Sequence, residues 1–233
     1  MNNDRYTHPD ARVVDAVIRS RRAVRAFRQD AIARDVVDQI LDVARNAPSN
    51  ANTQPWRVDV LAGREKAALS EVLRRAHDED LHPPLKYLPD LLPDTLRTRQ
   101  ESFGATYYGA LGVPKEDFQQ RARVTARNFD FFGAPVGLIF SIDSTLTKFS
   151  WLDYGIFLQT VMMAARAVGL DTCPQVSFAR FQNVIAEHLE LPSGFEVVCG
   201  MSLGLSDCDS PVGSLEMKRE PVQNFARFRG FES

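Results

Sequence analysis

Three short stretches of this chain carry the side chains that could do chemistry. Arg21, Arg22 and Arg25 crowd the end of a helical pattern, with Phe27 close behind. A guanidinium fork holds two phosphate oxygens at once, a geometry lysine cannot match. The second stretch, Ala47 to Trp56, sets Ser49, Asn50, Asn52 and Gln54 beside Pro48. Neutral donors and acceptors packed so densely suit a polyhydroxylated chain, whose alcohols need partners of both kinds. The third, Gly169 to Ser177, leaves a long helical pattern, and Pro174 fixes the backbone so that later amides can point at a ligand edge. Positive charge at one end and neutral hydrogen-bonding groups at the other suit a phosphorylated, ring-bearing cofactor.

Each stretch also has a plainer account. The arginines could form a solvated basic helix end, helped by the helix dipole. Pro, Ser and Asn are turn residues, although Gln54 and Trp56 are not. Gly169 followed by apolar residues reads as a helix stop and a short buried strand.

The elements that must position these groups follow from apolar periodicity. Helices are predicted at Ala11 to Ser20, Asp35 to Arg45 and Glu65 to His77, with a strand at Arg57 to Ala62 between the last two. Pro83, Pro84, Pro89 and Pro93 make Asp80 to Pro93 an excursion across the surface. Two inserted helices follow, Thr95 to Leu111 and Pro114 to Asn128, the second with proline at its first helical position and acidic Glu116 and Asp117 in its first turn. Ala134 to Ile142 is a nearly continuous apolar strand, and Trp151 to Val168 a long helix ending at Gly169. That helix carries a stripe too wide for one thin sheet to cover. A helix at Phe178 to His188, a strand at Glu196 to Leu205 and an extended tail complete the chain. Strands and helices mix without regular βαβ alternation, which predicts an α+β fold, and residues 1–233 read as a single domain with a helical insertion at about 80–130.

Composition narrows the function. The 233 residues are 44% hydrophobic and 25% charged, those of an ordinary globular protein. A net charge of −2 with scattered basic residues disfavours nucleic acid as a partner. The N-terminus lacks the apolar core of a signal peptide and no apolar run could cross a bilayer, so no membrane partner and a cytoplasmic location are expected. Cys173, Cys199 and Cys208 form no CxxC pair, and His8, His77, His82 and His188 are scattered, so no metal site is expected. No glycine-rich nucleotide loop follows a strand.

Residues 21–27 (Arg-Arg-Ala-Val-Arg-Ala-Phe), 47–56 (Ala-Pro-Ser-Asn-Ala-Asn-Thr-Gln-Pro-Trp) and 169–175 (Gly-Leu-Asp-Thr-Cys-Pro-Gln), in this order and spacing, resemble the flavin-dependent nitroreductase family, especially its nitrobenzoate reductase-like members. The likeness runs from Val14 to about Phe225. It implies a nitroreductase-like fold, with a largely antiparallel sheet flanked by helices. It further implies an FMN-containing, intertwined homodimer with exchanged C-terminal tails and two sites at the subunit interface. By the family pattern, Arg21 and Arg22 would reach the phosphate and ribityl end, and Arg25 the pyrimidine edge of the ring. Pro48, Ser49, Asn50 and Asn52 would come from the partner subunit, with Gln54 near the ring or ribityl. Amides after Pro174 and Gln175, at Val176 and Ser177, would face N5 and O4, and Arg219 matches a tail arginine that grips phosphate. Ala23 stands where a serine is frequent, and Met217 where a basic residue is frequent, which brings Lys218 forward as its substitute.

The activity implied is NAD(P)H-dependent reduction of nitroaromatic or similarly electron-poor acceptors through flavin N5, with ping-pong kinetics and no catalytic side chain. Phe103, Tyr107 and Tyr108 in the insert would wall the substrate pocket, although helix packing accounts for them equally well. Arg97 and Arg99, also in the insert, could pair a carboxylate on the acceptor. Other flavin reactions on the same fold (enone reduction, reductive dehalogenation, oxygen use) and a non-catalytic flavin-binding role are the alternatives.

Overall fold

The computed structural model describes residues 8–79 and 88–231. The apolar run of the middle of the chain becomes strand β2, Val136–Asp143, and it lies inside the sheet. The other strands are β1 (Arg57–Ala62), β3 (Asp171–Gln175) and β4 (Phe195–Gly204). They pair antiparallel throughout in the order β1-β2-β4-β3, with a bulge between Phe140 and Ser141. Pro174 is tolerated because β3 is an edge strand.

Alternation along β2 divides the core. Leu138, Phe140 and Ile142 point to one face, where α2 (Arg34–Ala44) and α6 (Lys148–Ala167) bring Val37, Ile40, Tyr154, Phe157 and Val161. Ile139 points to the other, where α3 (Gly63–Asp78) supplies Leu69 and Leu73 beside Phe129, Phe131, Phe178 and Phe181. That aromatic layer presses on bare backbone: a Cβ on Gly137 would sit 2.6 Å from the Phe131 ring, and one on Gly200 2.6 Å from the Phe178 ring. The expected helix stop is present, since Gly169 has φ +83° and donates to Arg166 O at 3.1 Å while Leu170 donates to Ala165 O at 3.0 Å.

The insert departs from expectation at its second helix. Helix α4 spans Asp94–Ala110, but α5 spans Phe118–Ala126 and does not begin at Pro114. Asp117 caps it instead, its carboxylate accepting from the Gln120 amide at 2.9 Å. The chain then runs through 3-10 turns broken by a kink over Arg127–Gly133, with Phe131 and Phe132 at φ 50° and 52°, and Phe129, Phe131 and Phe132 are buried there. The helix expected at Phe178 to His188 is likewise divided, into a 3-10 turn at Val176–Phe181 and α7 at Gln182–His188. Phe178 and Phe181 are both fully buried, and a 3-10 turn aligns residues three apart as an α-helix does not. Of the proline-rich excursion, residues 80–87 with Pro83, Pro84 and His82 lie outside the described residues. Leu88 to Leu91 and Pro93 are exposed.

Large apolar side chains are exposed in groups of three or more on three of the described elements. Helix α1 (Ala11–Ser20) exposes Val13, Val14 and Ile18, α6 exposes Phe149, Leu152 and Ile156, and the tail exposes Val222, Phe225, Phe228 and Phe231. The sheet covers only part of the α6 stripe. No helix among the described residues is long and apolar enough to cross a membrane.

Candidate active site

The segment after α1 runs extended beside β3, where Ala23 bridges Thr172 and the Val24 amide donates to Thr172 O at 3.0 Å. Val24 packs into the aromatic core and Ala26 against Tyr107 and Val124 of the insert, while Arg21, Arg22, Ala23 and Arg25 line the open side. Arg166 fixes the start of this segment, donating to Ser20 Oγ at 3.0 Å and pairing with the buried Asp171 at 3.1 Å.

That side opens on a cavity of about 800 Å³ with three walls. Arg21, Arg22, Ala23 and Arg25 form the first. The second is α4, with Thr98, Arg99, Ser102, Phe103 and Thr106, and the third is the tail from Leu215 to Glu220. Of the residues expected at the site, the fold thus gathers Arg21, Arg22, Ala23, Arg25, Phe103, Lys218 and Arg219 from segments almost 200 positions apart.

The cavity is strongly cationic. Burial, and then the charge of Arg219, lower the Arg21 pKa below the usual arginine value. Crowded like charges disfavour themselves unless an anion joins them. Arg22 donates to Ser214 O at 3.1 Å and to Glu216 Oε1 at 3.3 Å. Among the described residues, the Arg219 guanidinium donates to backbone oxygens alone, Met217 O at 2.9 Å and Lys218 O at 3.2 Å. Arg25 lies over the rings of Phe103 and Tyr107, 5.1 and 5.0 Å from their centroids.

The aromatic trio is split. Phe103 forms cavity wall, Tyr107 is buried behind it in a stacked pair at 5.8 Å, and Tyr108 turns to Arg121, whose Cζ lies 3.9 Å from its ring. Burial raises the Tyr107 pKa. Arg97 also leaves the group, since it pairs with Asp94 away from this cavity, whereas Arg99 faces the cavity and bonds Glu220 at 3.1 Å.

Pro48, Ser49, Asn50, Asn52 and Gln54 do not line this cavity. They form a tight exposed loop with Ala51, Asn52 and Gln54 at φ 50°, 56° and 48°. The Gln54 amide donates to Ser49 Oγ at 3.0 Å, and the Asn50 amide to buried Asp153 at 3.0 Å. Non-glycine residues held at positive φ are strained, and such strain concentrates at functional sites. In the third stretch the Gln175 side chain is consumed internally: it donates to Asn128 O at 2.8 Å and accepts from Ser202 Oγ at 2.7 Å. Any ligand contact at Gln175 falls to its backbone. Pro174 and Val176 are exposed, and Ser177 Oγ is buried with no hydrogen-bond partner among the described residues.

Thr98, Ser102 and Thr106, and the tail glutamates 216 and 220, line the cavity without having been expected there. A polar stripe at spacing four along α4 was the available signal for the first three. Nothing local marks the glutamates, because only the tertiary fold carries the tail to α4. Asp153 was hidden inside an otherwise apolar helix pattern.

Comparison with known proteins agrees with this architecture. The model of the nitroreductase family matches residues 18–205. A 4-nitrobenzoate reductase of Pseudomonas putida is 56% identical over 94% of this chain and 96% of its own. A nitrobenzene nitroreductase of Ectopseudomonas oleovorans is 40% identical over 94% and 98%. The crystal structure of the FMN-dependent nitroreductase NfnB from Mycobacterium smegmatis, in complex with NADPH, superposes with a TM-score of 0.90 at 30% identity, covering 94% of this chain and 99% of that one. Three sequence stretches, an antiparallel α+β fold and full-length relatives converge, and the chain belongs to the nitroreductase family.

Proposed function

We propose that this protein is an FMN-dependent oxidoreductase that draws electrons from NAD(P)H and reduces nitroaromatic or similarly electron-poor compounds. The observation that carries the proposal is the convergence of Arg21, Arg22, Arg25 and Arg219 on one cavity, with the Arg21 pKa lowered by burial and by Arg219. A phosphate dianion relieves that repulsion, and the aromatic wall at Phe103 suits a flat ring. The residues present fit FMN. The relatives, a 4-nitrobenzoate reductase and an FMN-dependent nitroreductase in complex with NADPH among them, support the same reading.

Bound FMN would supply the redox chemistry, accepting hydride at N5 from the nicotinamide and passing electrons to the acceptor. The chain's own residues hold and polarise. Arg21, Arg22 and Arg219, with Lys218 beside them, grip the phosphate end. Arg25, braced by Phe103 and Tyr107, presents positive charge to the pyrimidine edge of the ring, where electron density grows on reduction. Backbone amides at Val176 and Ser177, at the start of a 3-10 turn, lack intrahelical acceptors and suit the N5 and O4 edge.

The same proposal includes a homodimer with exchanged tails. The uncovered apolar faces of α1, α6 and the tail support it, as does the strained loop at Ser49 to Gln54, which would reach the partner's site. A cytoplasmic location belongs to the reading too, supported by the need for NAD(P)H.

The purified protein should be yellow, NAD(P)H should bleach it under anaerobic conditions, and a nitroarene should restore the colour. A colourless protein that cannot be loaded with FMN would sink the proposal. Enone or halogenated acceptors outcompeting nitroarenes would redirect it to another flavin reaction.

A further inference from the structure

The helix α4 sets Arg99 and Phe103 one turn apart on the same cavity wall, about 6 Å along the helix axis. Arg25 lies beyond Phe103, its Cζ 5.1 Å from the ring. Three groups therefore succeed one another: the cation assigned to the flavin edge, an aromatic surface, and a second cation. An aryl carboxylate offers the matching order, with its reducible group toward Arg25, its ring on Phe103 and its carboxylate at Arg99.

Arg99 is not idle in this structure. Its Nε donates to Glu220 Oε1 at 3.1 Å, and Asn224 donates to the other oxygen of that carboxylate at 2.6 Å. These two partners keep the Glu220 pKa below the usual carboxylate value, Asn224 contributing most. The pair is still weakly held. Its side chains are 49% and 37% exposed, and a single bond joins them. Ion pairs so open to water are worth about 0–1 kcal/mol. A carboxylate that takes both donors of a guanidinium edge, with its ring desolvated on Phe103, can displace such a partner. Arg97, two positions away, is turned from the cavity and paired with Asp94, so it cannot share the task.

We propose that Arg99 is the carboxylate-recognising residue of this site, and that Glu220 of the tail occupies it until an aryl-carboxylate acceptor takes its place. The proposal rests on the functional reading above. It makes acceptor selection a property of one side chain of the insert and one of the tail, apart from the arginines assigned to phosphate.

The test uses FMN-loaded wild type, Arg99→Gln and Glu220→Gln, with 4-nitrobenzoate and nitrobenzene as acceptors. The ratio of kcat/KM for 4-nitrobenzoate over nitrobenzene should fall about tenfold or more in Arg99→Gln, the loss of one charge-assisted contact, and rise in Glu220→Gln. Benzoate, which cannot be reduced, gives a readout free of turnover. Its titration against the oxidised holoenzyme, followed by flavin absorbance, should weaken in Arg99→Gln and tighten in Glu220→Gln. An unchanged ratio and unchanged benzoate affinity in a yellow, nitrobenzene-reducing Arg99→Gln enzyme would overturn the proposal alone. A raised KM for NAD(P)H with the ratio unchanged would also overturn it, assigning Arg99 to the dinucleotide. A wild-type chain that binds no FMN would remove the functional reading and this proposal together.

Discussion

Asp153, only 7% exposed, accepts the backbone amide of Asn50 at 3.0 Å, so a buried carboxylate of α6 fastens the loop that carries Ser49, Asn52 and Gln54. One turn further along α6, Phe157 stacks on Trp56 at 4.5 Å with ring planes 4° apart. The helix thus grips the loop at both its entry and its exit, while Phe149, Leu152 and Ile156 on the same helix remain uncovered. The uncovered apolar face and the strained loop, both assigned to the proposed dimer, share one support in α6.

Replacing Asp153 by Leu should leave the Asn50 amide unpaired, costing about 1–3 kcal/mol of stability, and should weaken FMN binding. Asp153→Asn keeps an acceptor and should retain most of both. Urea unfolding and flavin fluorescence titration check the pair, and equal losses in the two variants would deny the loop this fastening role.

Arg219→Ala should lower FMN affinity by roughly 10- to 100-fold, since it removes the charge-assisted phosphate contact proposed for it. The remaining affinity should also depend less steeply on salt. Titration at two ionic strengths measures both effects. Undiminished affinity would remove Arg219 from the phosphate site.

Gly200→Ala should destabilise the fold by about 1–3 kcal/mol, because the new Cβ would lie 2.6 Å from a fully buried Phe178 ring held against the sheet. Gly109→Ala, on exposed α4 with nothing within 4 Å, should instead stabilise by up to about 1 kcal/mol through helix propensity. Thermal unfolding of the two variants would show opposite shifts.

Stability should fall as pH rises above about 9. Burial pushes the Cys173 thiol up to about 11 and the Cys199 thiol up to about 12, from an ordinary value of 9.0. Below pH 9 both thiols are neutral whether the chain is folded or not, so the folded state loses nothing. Above it the unfolded chain ionises first, and stability drains away up to pH 11–12. Denaturant midpoints from pH 8 to 11 measure the slope, which should flatten in Cys199→Ala. At pH 8 a thiol reagent should modify exposed Cys208 and spare the two buried cysteines.

Elements with strong local signals were legible in the sequence. Strand β1 occupies Arg57–Ala62 as its alternation predicts, and α1 occupies Ala11–Ser20. The end of α6 at Gly169 follows from a residue that adopts φ +83° without strain. Competing local signals were less so. The start expected at Pro114, with Asp117 inside the first turn, gives way to a side-chain cap at Asp117, which satisfies an amide that proline leaves untouched. The 3-10 turns at residues 127–133 and 176–181 answer to where an aromatic cluster has room, which no window of sequence contains.

The sequence by itself determined the chemistry at hand: a basic stretch, an amide-rich loop and a proline-fixed turn, with the family that their spacing resembles. Only the tertiary structure decided which of these groups meet. It set Arg21 beside Arg219 and Arg99 beside Glu220, sent Arg97 and Tyr108 elsewhere, and spent the Gln175 amide inside the core. The reason is physical. Residue type fixes what a side chain can bind, but charge, burial and strain act through space, and the two pairings that shape the cavity, Arg21 with Arg219 and Arg99 with Glu220, join positions more than a hundred residues apart.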